Sequence, residues 1–469
     1  MAEKNKTKEL KEKLFMPSKK GMAAVSADTV KKADEFCEGY KKFLDNSPVE
    51  REAVQYSLKL AKENGFVEFE QDKQYKAGDK VYYINRDKAI ALAVIGKNGT
   101  KDGVMFSIAH IDSPRVDLKP NPLYEDNSLA YFKTHYYGGI KKYQWTVMPL
   151  ALHGTVVKVG GEKVDIKIGV DESEPCFCIT DLLPHLAKEQ ATKKLAQAIE
   201  GENLNVLIGS HPIDTDDEEG DLVKLNVMKI LNEKYGITES DFLSAELCFV
   251  PAQKSRDIGF DRSMIGGYGH DDKVCAYPAL MAALNTEMPE RTCITYLTDK
   301  EETGSDGNTG MQSDFLRYFV YDLAKVDGVD GYRVLSKSKC LSADVNAAFD
   351  PIYASAYEPK NASYINQGVI ISKYTGHGGK YDTSDASAEY MGEIRTMLEK
   401  EGVMWQVGEL GKVDNGGGGT IAKYVANMNV DVVDLGVAVL SMHAPFEIIS
   451  KVDVYETYRA FFAFYNNFK

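Results

Sequence analysis

Glu301 and Glu302 stand side by side, after the apolar, β-branched run Thr295-Tyr296-Leu297 and before the turn residues Thr303-Gly304-Ser305. A buried strand ending in this way delivers both acids to a loop at its C-terminal end, where open α/β sheets place their chemistry. Two touching carboxylates repel, so one is expected to be tied to a cation and the other left free to carry a proton. An exposed acidic turn is the plainer alternative, and the apolar strand ahead of the pair weighs against it.

Four further spots put acids or histidines at the ends of apolar runs. In His110-Ile111-Asp112-Ser113-Pro114 the histidine and the aspartate face the same way on a strand. A neutral imidazole there can bind a metal through one nitrogen while Asp112 holds the other, and a satisfied buried histidine fits the motif alone about as well. Gly269-His270-Asp271-Asp272-Lys273 sits at a strand-to-helix junction. A carboxylate at that point can bridge two cations, although taken alone the pattern favours an N-cap aspartate. Asp344, in Ser342-Ala343-Asp344, lies inside an apolar run, and a buried carboxylate needs a cation, a salt bridge or a hydrogen-bond network. His443, in Ser441-Met442-His443-Ala444-Pro445, also ends an apolar run, and a core histidine is its alternative reading. Taken together, the mixed histidine and carboxylate set suits a borderline divalent ion, zinc or else cobalt or manganese. With a free glutamate beside it, the arrangement is one for metal-assisted hydrolysis.

The elements that must position these residues alternate along the chain. Two helical patterns, Val30 to Phe43 and Ala53 to Ala61, flank a break at Ser47-Pro48, and Gly65 closes the second. Val81–Ile84, Ala89–Ile95 and Val104–His110 read as strands. From Arg115 to Ala252 the chain is β-rich and aromatic, with the pair Thr155–Val159 and Lys163–Ile168 joined at Gly160-Gly161 and an acidic run, Asp214 to Glu219, expected to be a solvated loop. Helix and strand then alternate again: a helix over Val274–Leu284 with Pro278 in its first turns or at a kink, a strand over Thr292–Leu297, and a helix capped by Ser313. The apolar runs Leu341–Val345 and Val430–Met442 read as strands, and a final helix starts at Ser450. This implies an α/β catalytic domain, discontinuous in sequence, with a mixed central sheet flanked by helices. Its parts are residues 1–115 and 255–469, and 116–254 form an inserted β-rich domain. Residues 1–20 are expected to be frayed.

The bulk composition is that of a soluble globular chain of 469 residues, 43% hydrophobic and 27% charged. A net charge of −14 argues against nucleic acid or an anionic membrane as partner. No apolar window approaches the ~18 residues of a membrane span, and the Lys- and Glu-rich start has no secretory apolar core. The seven cysteines are scattered without a C-x-x-C, which fits a reducing cytoplasm. Cys176 and Cys178 could be a metal pair, with two strand residues on one face as the plainer reading.

In order along most of its length, the chain resembles the aspartyl aminopeptidase and vacuolar aminopeptidase family of zinc exopeptidases. His110-Ile111-Asp112-Ser113-Pro114 is similar to the family's H-T-D-S-P, and Tyr137-Gly138-Gly139 to its Y-G-G. Asp271-Asp272-Lys273-Val274 falls where the family has L-D-N-L. Asp299 to Ser305 resembles D-N-E-E-V-G-S, and Ser342-Ala343-Asp344 and Ser441-Met442-His443 match S-A-D and S-M-H. The resemblance implies two zinc ions per subunit, one on His110 and Asp344 and the other on Glu302 and His443, with Asp271 bridging. It also implies Glu301 as general base, Asp112 orienting His110, and a cis peptide after Asp271. The insert would be a dimerisation domain, within a hollow tetrahedral dodecamer whose chamber admits short peptides. Lys373, Tyr374, His377 and Tyr381 fall in a segment that approaches the substrate in relatives, with an exposed glycine-rich loop as the alternative.

The chain departs from the family outside the metal motifs. The segment D-M-A-H-A-x-H-P-N is replaced by Asp344 to Pro351, with Ala347 and Asp350 in place of the histidines. C-G-S-T-I-G becomes Gly417 to Ala422, and Gly138 to Trp145 lacks the family's Asp-Arg. Both an acidic and a neutral or broad N-terminal preference are compatible with this. The expected activity is a metal-dependent aminopeptidase in the cytoplasm, acting on peptides. Another two-metal amidohydrolase (a carboxypeptidase or deacylase) and a catalytically silent assembly protein are the alternatives.

Overall fold

The computed structural model describes residues 2–16, 21–216 and 220–468. A nine-stranded mixed sheet carries the fold. In spatial order its strands are Val67–Glu68, Lys80–Asn85, Ala89–Val94, Cys293–Thr298, Met105–His110, Lys339–Ser342, Asp431–Gly436, Val369–Ser372 and Trp405–Val407. Four central strands, from Cys293–Thr298 across to Asp431–Gly436, run parallel. Their C-terminal ends therefore open on one edge of the sheet. The flanking pairings, at Ala89–Val94 and at Val369–Ser372, are antiparallel.

Parallel neighbours need crossovers, and crossover helices cover both faces of such a sheet. Every residue of Ala89–Val94 is buried as a result. Successive side chains alternate between faces. Ile90, Leu92 and Val94 join the core with helices Ala27–Asp45, Glu50–Glu63, His270–Asn285 and Lys451–Asn467. Ala89, Ala91 and Ala93 meet the other layer, where Phe315, Phe319 and Leu323 of helix Phe315–Val326 supply the bulk.

A second, antiparallel sheet of six strands is built wholly from residues between Arg115 and Pro251. Its own apolar core gathers Phe132, Trp145 and Phe249. Gly160 and Gly161, at φ of 103° and 91°, make the turn between Leu150–Val157 and Lys163–Ile168. This segment also holds a helix, Leu222–Tyr235. The sequence suggests few helices here because its apolar residues form a run rather than a stripe.

Several local expectations are revised. Ala2–Leu14 is helical rather than frayed, as a stretch of strong helix formers favours; residues 17–20 lie outside the described residues. Asp214 and Asp216 are exposed, and the rest of the acidic run, residues 217–219, lies outside the described residues. Asp314, not Ser313, stands at the N-cap position of Phe315–Val326, and its carboxylate is taken by Arg317 at 2.9 Å. Pro278 does fall within the first two turns of the regular helix and leaves it unbroken, since the non-helical torsions sit ahead of it at Asp271 and Asp272. The run Val430–Met442 is not one strand. The chain leaves the main sheet after Gly436, pairs Ala438–Val439 with Asn346–Ala347, and ends in a turn with Ser441 and His443 at positive φ. A Cβ on Gly436 would stand 1.8 Å from the carbonyl oxygen of Asp344, so this crossing is open only to glycine. Among the described residues, no helix is long and apolar enough to cross a membrane.

Candidate metal centre

The strand ends bring His110, Asp271, Glu301, Glu302, Asp344 and His443 together on the open edge of the main sheet. Three overlapping groups each have their ligand atoms within 4.8 Å of one another: His110 with Asp271 and Asp344, His110 with Glu301 and Glu302, and Asp271 with Glu302 and His443. His110 ends its strand, Glu301 follows the neighbouring strand Cys293–Thr298, and Asp344 lies just beyond Lys339–Ser342. Asp271 sits where the chain enters helix His270–Asn285, and its peptide bond to Asp272 is cis. Neither aspartate of that pair acts as a cap: both Asp272 oxygens and Asp271 Oδ1 are buried without a hydrogen-bond partner.

The hydrogen bonds fix how each imidazole is presented. His110 Nδ1 lies 3.1 Å from the carbonyl oxygen of Asp112 and 3.3 Å from Asp112 Oδ1, so it carries the proton and donates. His443 Nδ1 donates in the same way to the carbonyl oxygen of Gly139 at 2.8 Å. In both rings Nε2 then points inward, and it offers a lone pair there whenever the ring is neutral. His110 Nε2 faces Asp271 Oδ1 at 3.2 Å, Glu301 Oε2 at 3.8 Å and Asp344 Oδ1 at 3.9 Å. His443 Nε2 faces Asp271 Oδ2 at 3.1 Å and Glu302 Oε2 at 3.6 Å.

A ring nitrogen and a carboxylate oxygen that face each other in a buried site repel unless a proton or a metal ion lies between them. His110 Nε2, Asp271 Oδ1 and Glu302 Oε1 are all buried without a hydrogen-bond partner. The donor set, nitrogen and oxygen with no thiolate, is one that zinc and related divalent ions accept. On both grounds the residues fit a metal group.

The electrostatics show an excess of negative charge that takes up protons where no metal ion balances it. Burial, with the charge of Asp271 added, pushes the Glu302 carboxyl well above its usual range, and burial with Glu301 and Asp271 does the same to Asp344. Burial opposes a charge on His110, but Asp112, Asp271 and Glu301 outweigh it and hold that imidazole well above its ordinary value. Glu301 is pushed up to about 7, by burial first and then by Asp271 and Asp112. Its side chain is 18% exposed, against 2% for Glu302, so Glu301 is the acid with access to the cleft.

Asp112 does more than face His110. Its Oδ1 and Oδ2 accept from the backbone N–H groups of Glu301 and Glu302 at 3.1 and 3.2 Å. The Tyr137 hydroxyl donates to Oδ2 at 2.7 Å. The Tyr137-Gly138-Gly139 element therefore touches the site at every residue. Gly138, at φ 72°, leaves room for Glu302, since a Cβ would come within 3.1 Å of Glu302 Oε2. Buried Lys273 donates to Ser113 Oγ at 2.6 Å, and Ser113 Oγ donates to the carbonyl oxygen of Asp271 at 2.8 Å. Burial pulls that lysine down to about 8. Sequence reasoning placed Tyr137 and Lys273 only within matching motifs, without a role, and missed the buried acid Glu447, whose one signal is a charge set beside the apolar pair Ile448-Ile449.

The segment with Lys373, Tyr374, His377 and Tyr381 forms a cluster of its own. Lys373 pairs with Asp385 at 2.6 Å, Tyr374 donates to Glu409, and Lys380 lies 3.8 Å from the centre of the Tyr374 ring. His377 and Tyr381 pair through their backbones. A link to the centre runs through helix Ala422–Ala426. There Lys423 reaches Asp382 at 3.0 Å, and the Tyr424 hydroxyl donates to the carbonyl oxygen of Gly304 at 3.1 Å. Cys176 is exposed, Cys178 bonds locally to the carbonyl oxygen of Ile179, and neither belongs to a metal-binding group among the described residues.

A two-face α/β sheet with histidine and carboxylate donors at its strand ends is the framework of a metal-dependent hydrolase. Residues 43–465 match the family model described as aminopeptidase I zinc metalloprotease (M18). The chain belongs to that family and is an aminopeptidase. A probable M18 family aminopeptidase 1 from Clostridium acetobutylicum is 51% identical over 436 residues, covering 91% of this chain and 94% of that protein. The crystal structure of an M18-family aminopeptidase from Thermotoga maritima superposes with a TM-score of 0.92 at 44% identity, over 96% of this chain and 100% of that one. The structure of the S. cerevisiae mApe1 dodecamer, at 20% identity, shares the fold with a TM-score of 0.75, over 93% of this chain and 98% of that one.

Proposed function

We propose that the chain is a two-metal aminopeptidase in which His110 and Asp344 hold one divalent ion, Glu302 and His443 hold the other, and Asp271 bridges them. The observation that carries this reading is the pair of inward Nε2 atoms, 3.2 and 3.1 Å from the two oxygens of Asp271. Bound there, the ions would polarise the substrate carbonyl and acidify the attacking water. Zinc is the leading choice, with cobalt and manganese open to the same donors. Glu301 is the general base: its partly open carboxylate takes the proton from water and returns it to the leaving amine. Asp112 orients His110 and anchors the loop that carries both glutamates.

The same proposal assigns Lys373, Tyr374, His377 and Tyr381 to the substrate side, and residues 116–254 to an inserted dimerisation domain. It extends to a tetrahedral dodecamer; the dodecameric mApe1 of the same fold supports that assembly. Peptides are the substrates, and the cytoplasm is the setting inferred from seven free cysteines.

The test is a panel of aminoacyl chromogenic substrates with zinc, cobalt or manganese, beside N-acetylated controls and elemental analysis. The proposal expects hydrolysis of free-amine substrates only, and two metals per chain. Cleavage of the acetylated controls, or a single bound metal, would overturn it.

A further inference from the structure

Glu447 is a carboxylate that the reading above leaves without a part. It is 1% exposed and opens the strand Glu447–Ser450. That strand pairs antiparallel with Met264–Gly267, placing Gly267 opposite Glu447. The register sets the acid between the turn that carries His443 and the segment that runs into Asp271. Its two oxygens divide between them. Oε1 accepts from the backbone N–H of His443 at 2.7 Å, and Oε2 from the backbone N–H of Asp271 at 3.1 Å.

The arrangement mirrors that of Asp112, whose oxygens accept from the N–H groups of Glu301 and Glu302. Two buried carboxylates thus clamp four backbone amides around one centre. A second observation concerns His443 itself, which is held at φ 64°. A non-glycine residue keeps that torsion only where its surroundings fix it, and the Glu447 bond falls on the strained residue's own N–H.

We propose that Glu447 is a positioning residue for the His443 side of the centre. Its carboxylate holds His443 Nε2 against Asp271 Oδ2, 3.1 Å apart, before any metal arrives. The role rests on the two-metal reading. An amide cannot replace the carboxylate: it offers one acceptor oxygen, and its NH2 would confront the second N–H donor. Outer groups of this kind change metal affinity by about 10–100-fold.

Asp453 provides the control. It is fully buried and accepts from the backbone N–H groups of Asn366 and Gly368, both at 2.7 Å, but belongs to none of the metal-binding groups. The experiment measures zinc affinity by chelator competition, and the cobalt absorption spectrum, on full-length wild type, Glu447→Gln and Asp453→Asn. Glu447→Gln is expected to bind one of two zinc ions at least about 10-fold more weakly, with an altered cobalt spectrum. Asp453→Asn is expected to lose stability while keeping both affinities and the spectrum. Wild-type affinity at both sites in Glu447→Gln would overturn the proposal. Should Glu447→Gln not fold, Glu447→Asp carries the same test, because a shorter acid cannot reach both amides. Failure of both to fold, with Asp453→Asn folded, would make Glu447 a folding residue and also overturn the proposal. Wild type binding a single zinc would count against the two-metal reading, and the variant-to-wild-type affinity ratio would still decide the role of Glu447.

Discussion

Tyr137 donates its hydroxyl proton to Asp112 Oδ2 at 2.7 Å, and Asp112 in turn anchors the backbone of Glu301 and Glu302. The tyrosine therefore acts on the loop that carries both glutamates through the aspartate. Arg115 stacks on the Tyr137 ring, 4.4 Å from its centre, and fixes its direction. A hydrogen bond to a charged group is worth about 1.5–3 kcal/mol. Tyr137→Phe is expected to lower kcat by about 10-fold with zinc content unchanged, as steady-state kinetics and elemental analysis will show.

Glu301 and Glu302 are neighbours with different surroundings, 18% and 2% exposed. Removing a general base costs about 10²–10⁴-fold in rate. Glu301→Gln is expected to lose activity by that order while both metals stay bound. His443→Ala is expected to lose one metal, because its Nε2 is the nitrogen that faces Asp271 Oδ2 and Glu302 Oε2 together. Metal counts on the two purified variants separate the roles, and an unchanged count in His443→Ala would refute it as a ligand.

The strand-end residues were legible in sequence because each ends an apolar run with a group that such a run has no other reason to carry. His110, Asp344 and the Glu301-Glu302 pair follow that rule. Asp271 is ambiguous in sequence, since an acid before a helix also reads as a cap; what distinguishes the two is that Oδ1 and Oδ2 face His110 and His443 rather than the amides of the helix start. The run Val430–Met442 looked continuous because hydrophobicity does not say which strand a segment pairs with. The break is dictated by the close passage of Gly436 behind Asp344, a contact between segments far apart in sequence. Glu447 and Tyr137 act on backbone amides and on another acid, partners that no local pattern announces. Helix Leu222–Tyr235 was missed for a related reason, as its two-sided apolar surface hides the helical period.

Glu50 and Arg115 form a buried pair at 2.6 Å between helix Glu50–Glu63 and the second sheet. Burial alone would raise the Glu50 carboxyl, but Arg115 and then Lys88 outweigh it and hold the pKa below its ordinary value of 4.5. A depressed carboxyl contributes stability above its unfolded pKa and loses it as pH falls through the folded one. Glu50→Gln leaves Arg115 with only Asp117 as a close carboxylate, at 2.8 Å. Breaking one partner of a buried pair costs about 3 kcal/mol. Denaturant unfolding is expected to show that loss at pH 7, and the gap to wild type is expected to narrow below a pH of about 4.5.

Lys373 is not a free cation: Asp385 binds it at 2.6 Å and also takes Lys380 at 2.8 Å. The pair is about half exposed, with side-chain exposures of 45% and 42% for Lys373 and Asp385, so its contribution to folding is small. If Lys373 lies on the substrate side, as proposed, the consequence of the pair is for recognition. A lysine already satisfied by a carboxylate offers little to an acidic side chain, whereas a released one can pair with it. Asp385→Asn is therefore expected to shift preference toward N-terminal Glu or Asp, raising kcat/KM for glutamyl over leucyl substrates by about 10-fold, or about 1.4 kcal/mol. Lys373→Met in the same background is expected to cancel the shift. An unchanged ratio in Asp385→Asn would remove Lys373 from the substrate side of the cleft and leave its segment as an exposed loop.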